Sequence, residues 1–312
     1  MTFDRRIWPV NDRVVAYWLA DRFPGRMPVR PADHIVSVPV LDLSLSPGGR
    51  RDRQLLYGWS FAVLERCDDF AFGLCPAADY VGWVAANALS PSDNRTPATA
   101  AVLGRQTHAY ERPDMKSRDV AALPFSSLVV KGRTQGRFAQ TEIGWVPVSH
   151  LDGKRFEDPT QVARLFLGAP YLWGGNSAFG IDCSGLVQSA MNACGLSCPA
   201  DSDLQEAELG HTLPPGTPYA ANDLLFWKGH VALVVDPVML IHANAYHMAV
   251  AYEPITQAIA RIEAQGDGPV TRHARIDLAG CNRSIPAKPF HLSKNTHNPD
   301  TRNHATPAGD RA

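Results

Sequence analysis

Cys183, His230 and His242 are the residues whose types and spacing could do covalent chemistry. A thiol attacks a carbonyl as its thiolate, and it needs a base within hydrogen-bond reach and a third group to orient that base. Cys183 stands at the head of a run, Leu186, Val187, Ala190, Met191 and Cys194, that repeats at helical spacing until Gly195 stops it. The thiol is therefore expected in the first turn of a helix. There the helix dipole lowers a thiol pKa, typically to about 3.5–7.5 when a cation helps. The same turn offers unpaired backbone N–H groups that can hold an oxyanion.

The two histidines flank one apolar hairpin. His230 precedes Val231 to Val235, Asp236-Pro237 supplies a turn, and His242 closes the returning run from Val238. A turn centred on Asp236 sets His230 directly opposite His242, with Cβ atoms about 4.5–5.5 Å apart. A slip of one residue sends the imidazoles to opposite faces, so the mechanism depends on register.

Those residues need elements to position them. Asp223 to Trp227, Val231 to Val235 and Val238 to His242 read as three consecutive antiparallel strands. Upstream, Asp158 caps a helix with Pro159 at its first position, Val162, Leu165 and Phe166 on one face and Gly168 as its stop. A Gly-rich loop from Gly174 to Gly180 leads into the cysteine helix. The preceding chain is β-rich: His34 to Leu41, Leu55 to Glu65, Phe70 to Cys75 and Tyr80 to Ala85 form one set of short strands. Ala100 to Leu103, Thr107 to Tyr110, Leu128 to Lys131, Arg137 to Thr141 and Gly144 to Pro147 form a second. A polar break at Ser90 to Asn94 and Pro97 separates the sets. Gly82-Trp83-Val84 and Gly144-Trp145-Val146 each close a set, which points to duplicated small barrels. Val14 to Ala20 is expected as one short helix with Val14, Val15, Trp18 and Leu19 on a face. The expected division is an N-terminal helical segment over 1–30, barrels over 31–92 and 98–152, a catalytic domain over 157–282, and a disordered tail over 283–312, where Pro, Asn, Thr, Lys and His dominate.

Composition narrows the function. The chain has 312 residues, 45% hydrophobic and 20% charged, with 30 basic against 31 acidic residues. A formal charge of −1 provides no field for nucleic acid or an anionic membrane, so a small partner is expected. No apolar run approaches the ~18 residues of a membrane span. The apolar stretch Val14 to Ala20 is marginal for a signal peptide, and no small-residue cleavage site follows it, so cytoplasmic residence is expected. The six cysteines, Cys67, Cys75, Cys183, Cys194, Cys198 and Cys281, are too scattered for a disulfide framework. Cys194 and Cys198 have no second ligand pair at zinc-site spacing, so neither a metal nor another cofactor is expected. The basic run Arg50, Arg51 and Arg53, beside Pro47, Gly48 and Gly49, reads as a turn without functional role. His34, His108, His150, His211 and His247 read as surface or core residues.

Tyr171-Leu-Trp-Gly-Gly-Asn-Ser and Asp182-Cys-Ser-Gly-Leu-Val resemble the signature of the NlpC-type cysteine peptidases, of papain-like fold. Gly229-His-Val-Ala-Leu-Val-Val and Leu240-Ile-His-Ala resemble that family's later blocks in the same order. The resemblance covers about residues 157 to 282, and the paired barrels resemble bacterial SH3-like domains. It implies an α+β chain: a helix packed on an antiparallel sheet, preceded by two small SH3-like β-barrels. It further implies an endopeptidase cutting between γ-D-glutamate and a diamino acid in free murein peptides, a dipeptidyl peptidase VI-like activity in wall recycling. The alternatives are an exported hydrolase of intact peptidoglycan, or an amidase or acyltransferase using the same Cys-His-His set.

By resemblance Cys183 is the nucleophile, His230 the base and then acid, and His242 its orienter. Tyr171 offers its hydroxyl to the oxyanion. Asp182, Ser184 and Ser202 line the pocket for the L-alanyl-γ-D-glutamyl portion, Trp173 is an apolar wall, and Tyr80 closes over the substrate's amino end. In Leu55-Leu-Tyr-Gly-Trp59 the family usually has Glu at the position of Trp59, where the carboxylate helps bind a free amino group. Trp59 offers a cation–π face there instead, weaker and less directional than an ion pair. Neither oligomeric state nor the choice between diaminopimelate and lysine is legible in the sequence.

Overall fold

The computed structural model describes residues 3–93, 95–153 and 156–278; Cys281 and the tail from 283 lie outside the described residues.

The first β-rich set forms one sheet, while the second forms a five-stranded sheet and, separate from it, a two-stranded pairing of Ala100–Ala101 with Leu128–Val129. The first is seven-stranded, and its closing strand Tyr80–Ala85 carries Trp83 and runs into a 3-10 turn at Ala86–Ala88. The second repeats this ending: Gly144–Pro147 carries Trp145 and runs into a 3-10 turn at Val148–His150. The first set is more finely divided than the sequence suggested. The expected strand from His34 to Leu41 is two strands, Ala32–Val36 and Val40–Ser44. Leu55 to Glu65 likewise splits into Arg51–Leu56 and Ser60–Cys67. Gly58 lies in the gap between them at φ 78, a backbone conformation that glycine adopts without strain. In the second set a strand at Asp119–Pro124 was not anticipated, because its Asp, Ala and Pro content gives a weak alternating pattern.

The N-terminal expectation of a helix is corrected. Val14–Ala16 is a strand paired in parallel with Met27–Val29, followed by a 3-10 helix at Tyr17–Arg22. All three residues of that strand are buried, and Val14 and Ala16 pack with Leu64, Phe72 and Trp83. Two adjacent β-branched residues buried together favour strand over helix.

The barrels interlock with each other and with the rest of the chain. Tyr57 of the first barrel lies in the core of the second, among Val102, Leu123 and Val146. A Cβ added at Gly58 would come within 2.1 Å of the Leu128 carbonyl oxygen, so the seam tolerates no side chain there. Ala200 packs into the core of the first barrel, and Phe125 of the second packs into the core of the C-terminal part.

Among the described residues the C-terminal part has four helices: α1 (Pro159–Leu165), α2 (Cys183–Ala193), α3 (Ser202–Glu208) and α4 (Ile255–Ala264). Its six-stranded sheet runs His211–Thr212, Arg272–Arg275, Asp223–Trp227, His230–Val234, Met239–Asn244, Ala249–Pro254, antiparallel throughout. Alternation along these strands covers both faces. Leu224, Phe226, Val231, Leu233, Ile241 and Ala243 pack against Leu186, Val187, Ala190 and Met191 of α2. Leu225, Trp227, Ala232, Val234 and Leu240 pack against Ile255, Ala258 and Ile262 of α4. The anticipated α+β class is seen.

The Arg50–Arg53 run is not the turn expected of it. Arg51 and Arg53 lie on the strand Arg51–Leu56, and Arg53 is fully buried. Its Nη1 donates to both Asp182 carboxylate oxygens at 3.1 Å. Its Nη2 donates to Ser184 Oγ at 3.3 Å and to the Ala200 carbonyl. Removing one partner of a buried ion pair typically costs about 3–5 kcal/mol, because the other charge stays buried and unpaired. Arg53→Met should therefore lower unfolding free energy by about that amount in urea titration. An unchanged midpoint would show that the interdomain ion pair holds nothing together.

Candidate active site

The cysteine helix begins where the sequence places it. Asp182 is the N-cap of α2, its Oδ1 accepting from the Gly185 N–H at 2.6 Å. Its Oδ2 accepts from the Gly174 N–H at 2.9 Å, tying the Gly-rich loop to the same carboxylate. Cys183, the first helical residue, is buried, and the N–H of Val231 lies in hydrogen-bonding reach of its sulfur. Val231 immediately follows His230, so α2 delivers the thiol to the start of the histidine hairpin.

The expectation of a lowered thiol pKa is reversed. Burial pushes the Cys183 thiol up to about 12, and the neighbouring Asp182 charge adds to the rise. The Val231 and Ser184 amides and Arg53 pull the other way and do not outweigh it. His230 shifts to match: burial, with His242 beside it, lowers its pKa to about 3. At rest the thiol on α2 is neutral, and so is the imidazole at the start of the strand that packs against that helix. A low-dielectric site disfavours the separated charges of an ion pair until a substrate supplies compensation.

The hairpin has a different register from the expected one. Leu233 pairs with Ile241 and Val234 with Leu240, so the turn centres on Pro237 rather than Asp236. His230 is therefore a diagonal neighbour of His242. The displacement from direct opposition is an even number of residues, which keeps both rings on one face. His230 Nε2 lies 2.9 Å from His242 Nδ1, and His242 Nε2 lies 3.0 Å from Glu253 Oε2. Arg261 on α4 grips that carboxylate, Nε to Oε1 at 2.8 Å and Nη2 to Oε2 at 2.7 Å. Glu253 is half of a bidentate ion pair, and although burial acts to raise its pKa, Arg261 and His242 hold it down at about 2.

This chain of contacts assigns the tautomers. An ionised Glu253 can only accept, so His242 Nε2 carries the proton that it donates. Burial lowers the pKa of His242, and its neutral ring leaves Nδ1 as an acceptor. His230 Nε2 must then donate to that Nδ1. Nδ1 of His230 remains as the basic nitrogen able to take a thiol proton. Glu253 and Arg261 were not anticipated. Glu253 sits opposite Leu240 across the next strand pair, and no sequence pattern defined that register in advance.

The remaining expected residues fall in three places. Tyr171 bridges in parallel to Ile181, where burial, with the Asp182 charge and the Cys183 sulfur nearby, pushes its hydroxyl pKa up. Ser184 is buried, donating to Asp182 Oδ1 at 3.1 Å. Further along the same side, Tyr80 donates to Asp201 Oδ2 at 3.1 Å. Asp201, a residue sequence reasoning passed over, is the N-cap of α3, and Ser202 is that helix's first residue. Trp173 is 61% exposed, as a wall open to ligand must be. Trp59 departs from expectation: its indole N–H donates to the Ser126 carbonyl at 3.0 Å, committing the polar edge to the seam between barrels. Its ring belongs to the first barrel's core.

A cleft of about 160 Å³ opens beside His230, with Tyr171, Lys228, Asn244, Tyr246 and Arg261 on its walls. A larger cavity of about 340 Å³, between the second barrel and the C-terminal end of α2, is walled by Val102, Leu103, Phe125, Phe156 and Ala193, and among the described residues no titratable side chain lines it. The ligand atoms of His242, His247 and Glu253 lie within 4.8 Å of one another. In this arrangement both His242 nitrogens are hydrogen-bonded, Glu253 is paired with Arg261, and His247 Nδ1 lies 3.0 Å from Asn244 Oδ1.

A helix-borne thiol packed on a histidine-bearing antiparallel sheet is the arrangement used by papain-like cysteine hydrolases. Residues 168–263 match the model of the NlpC/P60 family, and residues 44–89 match that of the bacterial dipeptidyl-peptidase SH3 domain. The chain thus carries a catalytic domain of the NlpC/P60 cysteine peptidase family behind a bacterial SH3 domain. It is 38% identical over 122 residues to a γ-D-glutamyl-L-lysine dipeptidyl-peptidase of Bacillus subtilis, a stretch covering 36% of this chain and 40% of that protein. It is 26% identical over 217 residues to dipeptidyl-peptidase 6 of Lysinibacillus sphaericus, covering 61% of this chain and 79% of the relative. Among solved structures, an NlpC/P60 family protein from Bacillus cereus superposes with a TM-score of 0.66 at 18% identity, over 78% of this chain and 99% of that one, a likeness of fold.

Two outcomes follow from the relay. Glu253→Gln removes the charge that directs the proton chain and should lower kcat by at least about tenfold while KM changes little, as expected of a group that tunes a general base. An unchanged kcat would remove Glu253 from the machinery. The second concerns stability. The folded pKa values of His230 and His242 lie below the unfolded value of 6.5, that of His230 at about 3, so protons bind the unfolded chain preferentially once pH falls below 6.5. Glu253 adds stability above 4.5 that is lost as pH falls toward about 2. The thermal midpoint should fall continuously from pH 7 to pH 4, and His230→Gln should flatten that slope.

Proposed function

We propose that this chain is a cysteine endopeptidase that cleaves the bond between γ-D-glutamate and the following diamino acid in free murein peptides, L-Ala-γ-D-Glu-diamino acid, during cytoplasmic recycling of wall material. The observation that supports it most directly is the Cys183 sulfur against the Val231 amide, next to a His230 whose tautomer the His242–Glu253–Arg261 chain directs. The names of the two aligned relatives supply the substrate class.

In this reading the thiol proton passes to His230 Nδ1 as sulfur bonds to the γ-carbonyl carbon. The resulting oxyanion takes hydrogen bonds from the first-turn amides of α2 and from the Tyr171 hydroxyl. Collapse breaks the carbon–nitrogen bond, and His230 returns its proton to the departing amine. Water then attacks the thioester with His230 as base, which frees the dipeptide and restores the thiol. Because Cys183 and His230 both rest neutral, the proton transfer accompanies substrate attack. Asp182, Ser184 and Ser202 border the L-alanyl-γ-D-glutamyl side, with Trp173 as its wall and Tyr80 at its far end.

Incubation with L-Ala-γ-D-Glu-L-Lys and with its diaminopimelate counterpart, followed by mass spectrometry, should show L-Ala-γ-D-Glu plus the free diamino acid. Cys183→Ala should abolish that release. Release confined to intact peptidoglycan, or transfer of the acyl group to another amine, would replace this reading with a wall hydrolase or an acyltransferase. The neutral resting pair also has a kinetic sign: inactivation by iodoacetamide should accelerate through pH 8 to 10. A rate already level between pH 5 and 7 would indicate a preformed thiolate.

A further inference from the structure

The hydrogen-bond chain that directs His230 has an open imidazole at its edge. His247 lies on the exposed turn between the strands Met239–Asn244 and Ala249–Pro254, its ring centroid 6.5 Å from that of His242. Asn244 Oδ1 accepts the backbone N–H of His247 at 2.8 Å, which fixes the orientation of the amide, and the same oxygen lies 3.0 Å from His247 Nδ1. Nδ1 must therefore carry the proton of the neutral ring, and Nε2 keeps a lone pair that no described residue takes up. The ligand atoms of His242, His247 and Glu253 already lie within 4.8 Å of one another. Zinc holds imidazole nitrogen and carboxylate oxygen at about 2.0–2.2 Å, so two ligands of a tetrahedral ion stand about 3.3 Å apart. His242 Nε2 and Glu253 Oε2, at 3.0 Å, need little movement, and the third ligand, His247, is the exposed one that can move in. Asn244 gives His247 the acceptor that metal-bound histidines usually have on their other nitrogen.

We propose that His242, His247 and Glu253 form an inhibitory site for a divalent transition-metal ion, zinc in particular, which disables the base without touching Cys183. The binding stands apart from the endopeptidase reading above, and only the inhibition rests on it. In the metal-free chain His242 carries its proton on Nε2 and accepts from His230 at Nδ1, which leaves Nδ1 of His230 basic. A zinc ion takes the lone pair of His242 Nε2, and the proton of that ring goes to Nδ1. That nitrogen then donates to His230 Nε2, whose own proton goes to Nδ1 of His230. Each ring keeps one proton, exchanged through water, and none is gained or lost. The nitrogen that must receive the thiol proton is now occupied. Arg261 stays on the far side of the Glu253 carboxylate, and its charge lowers the affinity, which makes the site reversible rather than a structural zinc centre.

The test uses the full-length protein, first stripped with a chelator, and compares wild type with Cys183→Ala and with His247→Ala, which removes an exposed imidazole. In calorimetric titration zinc should bind wild type and Cys183→Ala alike and His247→Ala about tenfold or more weakly. Comparison with wild type cancels whatever the other histidines and thiols bind. Equal binding in His247→Ala overturns the inference, and so does its loss in Cys183→Ala, which would put the ion on the thiol. Without metal, His247→Ala should cleave L-Ala-γ-D-Glu-L-Lys at close to the wild-type rate. Zinc should slow wild type, a chelator should restore it, and half-inhibition of His247→Ala should need about ten times more zinc. A wild type that binds zinc and keeps its full rate overturns the inhibitory role. If metal-free wild type leaves the peptide intact, the endopeptidase reading fails, and the calorimetry still decides whether the metal site exists.

Discussion

Asp182 is the carboxylate around which the site is organised. It caps α2 through the Gly185 amide, holds the Gly-rich loop through the Gly174 amide, and receives the buried Arg53 from the first barrel. One side chain thus sets the first helical turn, the loop before it and the position of a neighbouring domain. A carboxylate buried this deeply persists only where its lone pairs have donors, so these partners, with the Ser184 hydroxyl as a fourth, cannot be separated without cost. Cys183 is the next residue, and its place follows from that network.

The electrostatics of the site follow from burial rather than from the helix dipole. Adjacent to a carboxylate and out of water, the thiol is held protonated, and His230, equally enclosed, is held neutral. A helix N-terminus alone offers partial charge worth less than this desolvation. The compensating charge sits one imidazole further away. Arg261 keeps Glu253 ionised, Glu253 orients His242, and His242 orients His230. The base is directed through hydrogen bonds and not through a cation at the thiol.

The barrels are part of the site. Arg53 and Tyr80 of the first barrel reach Asp182 and Asp201 of the catalytic part, while Ala200 enters the barrel core in return. The second barrel closes the far seam, where Tyr57 lies in its core and Trp59 bonds to Ser126. Backbone contact at Gly58 leaves the two barrels one way to meet. With the domains interlocked in this way, the shape of the pocket beyond Ser184 depends on the whole chain.

The amino-acid sequence by itself determined what local rules govern: the cap at Asp158, the start of α2 at Cys183, the end of that helix near Gly195, the three strands that carry the histidines, and the two Gly-Trp-Val endings of the barrels. Each follows from period, capping or turn chemistry within a short window. Folding decided the rest, because it depended on partners distant in sequence. The centre of the histidine turn, the strand at Val14–Ala16, the burial of Arg53, the seam position of Trp59, and the pairing of Glu253 with His242 and Arg261 all belong to that class. Local propensity says how a segment is built. Which charge ends up buried against which, and therefore where a proton sits, is set only when separate elements pack together and exclude water.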